Sequence, residues 1–327
     1  MPAAIEVEGL VKSFRGHRAV NGIDLRVPPA TVLGLLGPNG AGKTTTVRML
    51  ATLIRPDGGS ARVAGFDVVE QAHEVRGVIG LTGQYAAVDN EISGWENLYL
   101  IARLHNLPRR RARARVDELL EEFGLADHAE KPAGRYSGGL RRRLDLAASM
   151  VATPEVLYLD EPTTGLDPRT RNALWDSVRA KVREGTAVLL TTQYMEEAEA
   201  LANDVVVMDH GEVVASGTTA ELRAQVGEEV LRITPADPLT LDAAAAALSA
   251  SGLRQVTVDD ENDVVSLAMS SSAELTRAVQ ALGRSGLAIA DIETHTPGLD
   301  EVFLTLTSEA VAPSRPSERP IVGGRTP

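Results

Sequence analysis

Cysteine is absent from the 327 residues of this chain, and this absence excludes disulfide bonds and thiolate metal sites. Long hydrophobic runs are also missing, since no stretch approaches the ~18 consecutive apolar residues that a membrane-spanning helix needs. The N-terminal stretch MPAAIEVEGL lacks the basic and then apolar layout of a secretory signal. We therefore expect a soluble intracellular protein, and we expect any membrane-spanning partner to be a separate polypeptide.

Basic residues are outnumbered, because 33 Lys and Arg stand against 45 Asp and Glu and give a net charge of −12. This balance argues against nucleic acid as a partner, since phosphate backbones require clustered Lys and Arg. The exception is PRRRARAR at residues 108–115, which leads into the acidic sequence VDELLEEFGL. Such a run is typical of a solvated helix face, and contact with membrane headgroups or a protein partner is the alternative.

The pattern up to about residue 220 predicts an α/β domain. Short apolar runs alternate with helical patterns, and VLYLD and AVLLTT are nearly continuous apolar runs, as in a parallel sheet covered on both faces. The pattern after Glu91 is mainly helical. We therefore predict a first domain over residues 1–220, with a helical subdomain at about residues 85–150.

A different pattern follows residue 221. It has the order β-α-β-β-α-β, with RQVTV and DVVSLAM as its two central strands, and this order fits a split ferredoxin-like unit. We predict a small α+β accessory domain over residues 221–310. The tail at 311–327 holds four prolines and few apolar residues, which predicts disorder.

The sequence GLDEVFLTL near the end of the second domain has an amphipathic helical pattern. Its apolar side is formed by Leu299, Val302, Phe303 and Leu306. This helix either closes the small domain by packing or docks a partner.

The strongest motif is GLLGPNGAGKTTTVRML, in which GxxxxGK[ST] follows an apolar strand and precedes a helix. Its glycines allow the backbone to wrap around phosphates, so that N–H groups and the helix N-terminus point at them. Lys43 would reach the β- and γ-phosphates, and the Thr44 hydroxyl would ligate Mg²⁺. A chance glycine-rich turn is the alternative. The predicted nucleotide-binding residues are Gly37, Pro38, Asn39, Gly40, Ala41, Gly42, Lys43, Thr44 and Thr45.

The second motif is VLYLDEPTTGLDP, in which an apolar strand delivers Asp160 and Glu161 to its carboxyl end. Ligands collect at this edge of open α/β sheets. Asp160 suits a carboxylate that holds Mg²⁺ through its water shell, and Glu161 suits a base that orients or deprotonates the attacking water. An acidic pair without a catalytic task is the alternative.

The third motif is RYSGGLRRRLDLAASM, in which Ser137, Gly138 and Gly139 open a helix. The exposed backbone donors and the positive end of the helix dipole form a second anion-binding terminus. Two such termini in one chain are explained if two copies face each other and each closes over the other's nucleotide. A simple N-cap is the alternative.

The order of these motifs, with Gln84 and the segment LLTTQYMEEAE, resembles the ATP-binding cassette (ABC) ATPase family over roughly residues 4–220. The sequences YSGGLRRRLDLA and GLDEVF are most similar to the daunorubicin/doxorubicin-resistance type of ABC exporter ATPase. The resemblance implies a phosphate-loop cassette that uses ATP and Mg²⁺ and forms a homodimer on ATP binding. It also implies a separate integral-membrane permease and a peripheral location at the cytoplasmic face of the membrane.

The resemblance assigns further roles. Phe14 would stack on adenine, although core filler is an alternative. Gln84 would sense Mg²⁺ and the attacking water and touch the permease, whose groove would lie beside Tyr85–Glu91. The segment at 137–139 would bind the γ-phosphate held by the opposite subunit, and Asp167 would line the dimer interface.

Two positions depart from the family pattern. Leu140 stands where the common signature carries glutamine, which removes a polar contact near the partner's nucleotide. Gln193 stands where the family carries its switch histidine, so we expect its amide to donate a hydrogen bond to the γ-phosphate. An amide neither titrates nor carries positive charge, which predicts slow turnover. A polar strand end without nucleotide contact is the alternative.

The function implied by the resemblance is an ATP-hydrolysing motor that drives outward transport of an amphipathic compound such as an antibiotic. A motor for another cargo, such as a lipid, a polysaccharide or an imported solute, is one alternative. A non-transport ABC ATPase acting in DNA repair or on the ribosome is the other. Such relatives usually carry paired cassettes, long coiled coils or zinc-binding cysteines, and this chain shows none of these features.

Overall fold

The computed structural model describes residues 2–83, 88–226, 229–259, 262–269 and 271–295. The strands in this part of the chain are β1 (Ile5–Phe14), β2 (His17–Val27), β3 (Val32–Leu36), β4 (Gly58–Val63), β5 (Phe66–Asp67), β6 (Ile79–Thr82), β7 (Val156–Asp160), β8 (Ala187–Thr192), β9 (Asp204–Asp209), β10 (Glu212–Gly217), β11 (Glu229–Pro235), β12 (Val256–Asp259), β13 (Val264–Met269) and β14 (Ile289–His295).

The helices in the same residues are α1 (Lys43–Leu50), α2 (Ala72–Val78), α3 (Gly94–Leu104), α4 (Arg109–Glu122), α5 (Gly138–Ser149), α6 (Pro168–Arg183), α7 (Met195–Leu201), α8 (Thr219–Val226), α9 (Leu241–Ala250) and α10 (Ser272–Ser285). Short 3-10 turns occupy Ala126–His128, Ala133–Arg135 and Pro238–Thr240.

A six-stranded sheet of order β10-β9-β3-β8-β7-β6 positions the candidate site. Its neighbours are parallel except for the β9–β10 hairpin. Every residue of β3, β7 and β8 is buried, which confirms the prediction of strands covered on both faces. Leu36 pairs with Thr192, and Asp160 pairs with Thr191. The carboxyl ends of β3, β7 and β8 therefore meet at one edge of the sheet.

One face of this sheet shares a core with a four-stranded antiparallel sheet of order β2-β1-β4-β5. Helix α1 contributes Val47 and Leu50 to that core, where they join Leu10 of β1 and Tyr158 of β7. This packing fixes α1, and therefore the loop that precedes it, at the carboxyl edge of the sheet.

Helices α3, α4 and α5 cover the other face, as the helical pattern predicted. Leu98, Leu119 and Leu144 from these helices share a core with Leu157 and Leu190 of the sheet. These apolar contacts explain why the helical segment folds onto the sheet.

Helix α4 contains the arginine run and is amphipathic. Arg109 and Arg113 are exposed, whereas Ala112, Val116 and Leu119 are buried. The arrangement favours the interpretation of the run as a solvated helix face.

The strands from β11 onwards form a third, antiparallel sheet of order β12-β13-β11-β14. This order, with α9 after β11 and α10 after β13, is that of the predicted ferredoxin-like unit. Its core contains Leu231, Leu248, Val265 and Leu282. The helix predicted at GLDEVFLTL and the tail at 311–327 lie outside the described residues.

Helix α8 spans the boundary that the sequence placed after residue 220. Its Leu222 packs against Leu36, Ala198 and Val207 of the central-sheet region. We therefore propose that the first domain ends after α8.

Candidate functional site

The loop from Gly37 to Gly42 requires glycine because the backbone of other strands passes close to it. A Cβ atom on Gly37 would lie 2.2 Å from the carbonyl oxygen of Met208 in β9. Gly42 has a left-handed φ of 103°, and a Cβ there would lie 2.4 Å from the carbonyl oxygen of Ala19 in β2. Both glycines thus allow the loop to sit between β2 and β9, directly before α1.

The remaining residues of the loop differ in exposure. Asn39 and Gly40 are exposed, whereas Ala41 is buried and belongs to the core that holds α1. Thr45, in the first turn of α1, is half-buried. The rim of the loop is therefore open to a ligand while its base is held by packing.

Lys43, the first residue of α1, is buried with only 4% of its surface exposed. Its Nζ atom donates hydrogen bonds to the carbonyl oxygens of Gly37 at 2.7 Å and Pro38 at 3.0 Å. Burial lowers the pKa of Lys43, while the negative charges of Glu161 and Asp160 oppose this shift. The loop therefore binds this amino group through its own carbonyl oxygens, and a phosphate oxygen can compete for it.

Asp160 links α1 to two strands of the central sheet. Its Oδ1 atom accepts hydrogen bonds from the hydroxyls of Thr44 at 3.0 Å and Thr191 at 2.6 Å. Hydroxyl and carboxylate oxygens are hard donors that suit Mg²⁺, which keeps several waters and binds few protein ligands. No group of three or more His, Cys, Asp or Glu side chains that could hold a metal ion occurs among the described residues. Thr44 and Asp160 therefore fit the metal that the sequence predicts.

Glu161 is held in an uncommon backbone conformation. Its φ is 49°, a left-handed region in which side-chain-bearing residues are strained. Its N–H donates to the carbonyl oxygen of Thr191 at 3.1 Å and to the Thr191 hydroxyl at 3.2 Å. Thr191 of β8 therefore fixes both carboxylate-bearing residues at the end of β7.

Gln193 directly follows β8 and is half-buried. Thr192 pairs with Leu36, the last residue before the loop, and the Thr192 hydroxyl accepts a hydrogen bond from the Tyr194 N–H at 2.9 Å. The sheet register thus delivers Gln193 to the same edge as the phosphate loop, as the sequence predicted for a strand-end residue.

Glu197, four residues further on, is a buried carboxylate that the sequence analysis did not single out. It has no exposed surface, and the indole N–H of Trp175 donates to its Oε1 atom at 3.4 Å. Burial raises the pKa of Glu197, opposed by hydrogen bonds with Thr192, Thr163 and Trp175 and by the charge of Arg142. The acidic run EEAE hides it, because sequence alone does not show which of its glutamates points inward.

The segment with Ser137 and the segment with Asp167 lie against each other. Ser137 caps α5 by accepting a hydrogen bond from the N–H of Leu140 at 3.3 Å, so the N-cap alternative describes its state in this structure. A Cβ on Gly139 would lie 2.6 Å from Thr170 Cγ2. Thr170 in turn donates from N–H and hydroxyl to Asp167, at 3.0 and 2.6 Å.

The capping hydrogen bonds of Ser137 and Asp167 leave the N-terminus of α5 exposed to solvent. Ser137 and Gly138 are exposed, as is Asp167, whose pKa is lowered by the hydrogen bonds from Thr170. The structure therefore brings the two predicted interface segments together on one exposed surface of the chain.

Phe14 ends β1 and lies opposite His17 at the tip of the β1–β2 hairpin. Its side chain is 46% exposed, so the interpretation as core filler is wrong. Lys12 Nζ lies 5.5 Å from the centre of the ring. An exposed ring at this tip remains available for stacking on a planar ligand.

Gln84 lies outside the described residues, as do Tyr85 and two more positions of the predicted permease groove. The preceding strand β6 ends at Thr82, which pairs with Leu159 of β7. The chain thus leaves the sheet next to the strand that carries Asp160.

A family model described as "ABC transporter" matches residues 20–164, and one described as "ATP-binding protein DrrA1-3-like, C-terminal domain" matches residues 217–307. The chain is 52% identical over 307 residues to the daunorubicin resistance ATP-binding protein DrrA3 of Streptomyces coeruleorubidus, covering 94% of this chain and 96% of that protein. It is 51% identical over 304 residues to the daunorubicin/doxorubicin resistance ATP-binding protein DrrA of Streptomyces peucetius, covering 93% and 92%.

A solved structure of cbiO1 from Clostridium perfringens, part of the ABC transporter complex cbiONQ, is similar in fold. It has a TM-score of 0.64 and 26% sequence identity, and the match covers 69% of this chain and 92% of that one. The two relatives therefore match both domains of the chain. The match to the solved structure covers a fraction of the chain about equal to the length of the first domain.

Proposed function

Because the chain belongs to the ABC transporter family of ATP-binding subunits, we propose that it drives export of an amphipathic compound, such as an antibiotic, through a separate permease. The chain binds ATP and hydrolyses it to power transport, as its family does. The resistance to daunorubicin or doxorubicin in the names of its relatives supports the choice of cargo. None of the helices among the described residues is both long and apolar enough to cross a bilayer.

The observation that carries the proposal is the convergence of three strand ends. The register places the ends of β3, β7 and β8 side by side, and the residues that follow or end them are the phosphate loop, Asp160 with Glu161, and Gln193. These groups can bind a triphosphate and act on its terminal phosphoryl group from one sheet edge.

Each group has a defined task in hydrolysis. The loop N–H groups and Lys43 bind the β- and γ-phosphates, and Thr44 with Asp160 would hold Mg²⁺, which neutralises charge on the phosphates when bound. Glu161 orients and deprotonates the attacking water. Gln193 donates its amide N–H to the γ-phosphate, and Gln84 senses the water and the metal.

Two copies would complete the site. The exposed Ser137 and Gly138 at the start of α5 offer backbone donors to an anion, and in a homodimer they would cap the γ-phosphate held by the partner. Asp167, beside them, would line the same interface. Phe14 would stack on the adenine ring.

The permease would dock through exposed apolar side chains, for which Leu53, Leu100 and Leu104 are candidates. Their exposed fractions are 59, 49 and 71%, and large exposed apolar side chains mark interaction sites where they are contiguous. A groove beside Leu104, with a volume of about 400 Å³, is also lined by Leu107 and Arg76. We propose that a permease segment on the cytoplasmic side of the membrane binds there.

The test is drug efflux from cells that express the full chain with its candidate permease, a multi-span membrane protein sought among the genes encoded next to it. We expect lower accumulation of fluorescent doxorubicin with the parent chain, and none of this effect with Glu161→Gln, which should still co-purify with the permease. Equal accumulation with parent and variant would refute drug export. If the chain and its permease instead move a lipid or an imported solute in an ATP-dependent way, that compound would replace the antibiotic as the proposed cargo.

A further inference from the structure

Arg142 lies in the middle of three consecutive arginines in α5, and its guanidinium group reaches the catalytic edge of the sheet. Nε donates to the carbonyl oxygen of Pro162 at 2.7 Å, and Nη1 donates to that of Gly83 at 2.6 Å. Nη2 lies 3.4 and 3.3 Å from the carbonyl oxygens of Asp160 and Glu161. All three nitrogens therefore bind backbone of the site.

The position of this guanidinium is fixed by burial and by acidic neighbours. Its side chain is 13% exposed, and Nη1 lies 3.4 Å from Asp145 Oδ2, whose side chain is 1% exposed. Burial lowers the pKa of Arg142, while the charges of Asp145, Glu197 and Asp160 oppose that shift. An arginine stays protonated in such surroundings, so all of its donors remain available.

The two neighbouring arginines bind elsewhere. Arg141 Nη2 donates to the carbonyl oxygens of Ala133 at 3.5 Å and Gly134 at 3.3 Å. Arg143 Nη1 donates to those of Phe123 at 3.2 Å and Gly124 at 3.5 Å. All three arginines hold loops through carbonyl groups, but only Arg142 holds the loop that carries Glu161.

We propose that Arg142 is a positioning residue for hydrolysis, which fixes the strained backbone at Glu161 and ties it to α5 and to Gly83. The inference rests on the proposed function, because it assigns a role within the same site. Glu161 has a left-handed φ of 49°, and such a conformation persists only where surrounding contacts determine it. Arg142 supplies such contacts at the carbonyl oxygens of residues 160–162, whereas Thr191 binds the N–H of Glu161.

The same contacts join three functional segments. Helix α5 begins at the proposed γ-phosphate cap, the acceptors at 160–162 surround the proposed base, and Gly83 directly precedes Gln84. A movement of α5 on dimer closure would therefore move the acceptors of Arg142 with it. Such a link would couple the position of the base to that of the cap.

The test compares Arg142→Gln with Arg143→Gln in the full-length chain, using steady-state ATP hydrolysis and Tm. We expect Arg142→Gln to lower kcat by roughly 10- to 100-fold, since small misplacements of catalytic groups have effects of that size, with the KM for ATP unchanged. Arg143→Gln should keep kcat within about twofold. Arg142→Lys retains the charge and some donors, so its kcat should lie between those of Arg142→Gln and the parent.

Two results would overturn the positioning role: parental kcat in Arg142→Gln, or equal losses of kcat in Arg142→Gln and Arg143→Gln together with equal losses of Tm. If Arg142→Gln does not fold, Arg142→Lys decides, and parental kcat in that variant overturns the role. Glu161→Gln separates this question from the proposed function. Loss of hydrolysis in Glu161→Gln but not in Arg142→Gln refutes only the positioning role, whereas hydrolysis retained in Glu161→Gln refutes the proposed site.

Discussion

The hydroxyl of Thr44 donates a 3.0 Å hydrogen bond to Oδ1 of Asp160, although 116 residues separate them in the chain. This bond joins the first turn of α1 to the end of β7. The same oxygen also accepts from Thr191 at 2.6 Å, so the relative positions of the phosphate loop and the carboxylates are set by side chains as well as by the sheet.

The charge of Asp160 is expected to decide metal dependence. Asp160→Asn keeps the size of the side chain and an acceptor for Thr44 and Thr191, but it removes the charge that Mg²⁺ requires. We expect Mg²⁺-dependent ATP hydrolysis to fall by about 100-fold or more, with binding of a fluorescent ATP analogue in EDTA retained. Asp204→Asn, at an exposed strand start, is the control. Full Mg²⁺-dependent activity in Asp160→Asn would remove Asp160 from the metal site.

Gln193 is expected to limit the rate of hydrolysis. Gln193→His introduces a group that can carry positive charge near neutral pH, and charge-assisted hydrogen bonds are roughly twice as strong as neutral ones. We expect Gln193→His to have a higher kcat than the parent. Its kcat should also depend on pH between about pH 6 and 8, whereas the Gln193 amide of the parent does not titrate. A Gln193→His rate below that of the parent would contradict this role.

Ionisation of the buried Glu197 is expected to lower the free energy of unfolding as the pH rises. Burial raises its pKa in the folded state, so the folded protein binds more protons than the unfolded chain between the two pKa values, and the free energy of unfolding falls as pH increases through that window. Glu197→Gln does not titrate there. We expect the Tm of the variant minus that of the parent to increase from pH 4.5 to pH 8.

The control for this measurement is Glu121→Gln, which removes a charge at an exposed position of α4. A Tm difference between Glu197→Gln and the parent that stays constant or shrinks with rising pH would show that the pKa of Glu197 is not raised.

Gly37 should tolerate no side chain. A Cβ would lie 2.2 Å from the Met208 carbonyl oxygen, so Gly37→Ala must displace β9 or the loop, and overpacking of this kind costs about 1–3 kcal/mol. We expect lower Tm and weaker ATP binding. Gly77→Ala in α2, with no atom within 4 Å of the added Cβ, should leave both unchanged or raise Tm slightly. Parental ATP binding by Gly37→Ala would contradict the close approach of loop and strand.

Local sequence patterns predicted the parts of the site that depend on backbone. The glycine spacing predicts the loop at Gly37–Gly42, and the continuous apolar runs predict that β7 and β8 are strands buried on both faces. The alternation of strands and helices likewise predicted the ferredoxin-like order of the second unit. These features follow from periodicity and backbone freedom, which the sequence displays directly.

Contacts between distant side chains were not predictable in this way. Arg142 and Arg143 are chemically identical neighbours, and only the rotation of α5 against β7 decides which one reaches Pro162 and Gly83. Glu197 was missed for the same reason, since the inward direction of a short helix depends on Trp175 and the sheet beneath it. The exposure of Phe14 depends on a hairpin tip that extends beyond the core, whereas its residue type favours burial.

The central claim is that two chains sandwich ATP, with the phosphate loop of one facing the Ser137 segment of the other. The most direct measurement is the mass in solution of Glu161→Gln with MgATP, by sedimentation at equilibrium. The account predicts twice the mass of one chain with ATP and a loss of this dimer when Gly138→Asp is added, because a carboxylate would meet the partner's γ-phosphate. A single-chain mass at saturating ATP, or a dimer that ignores Gly138→Asp, would contradict it.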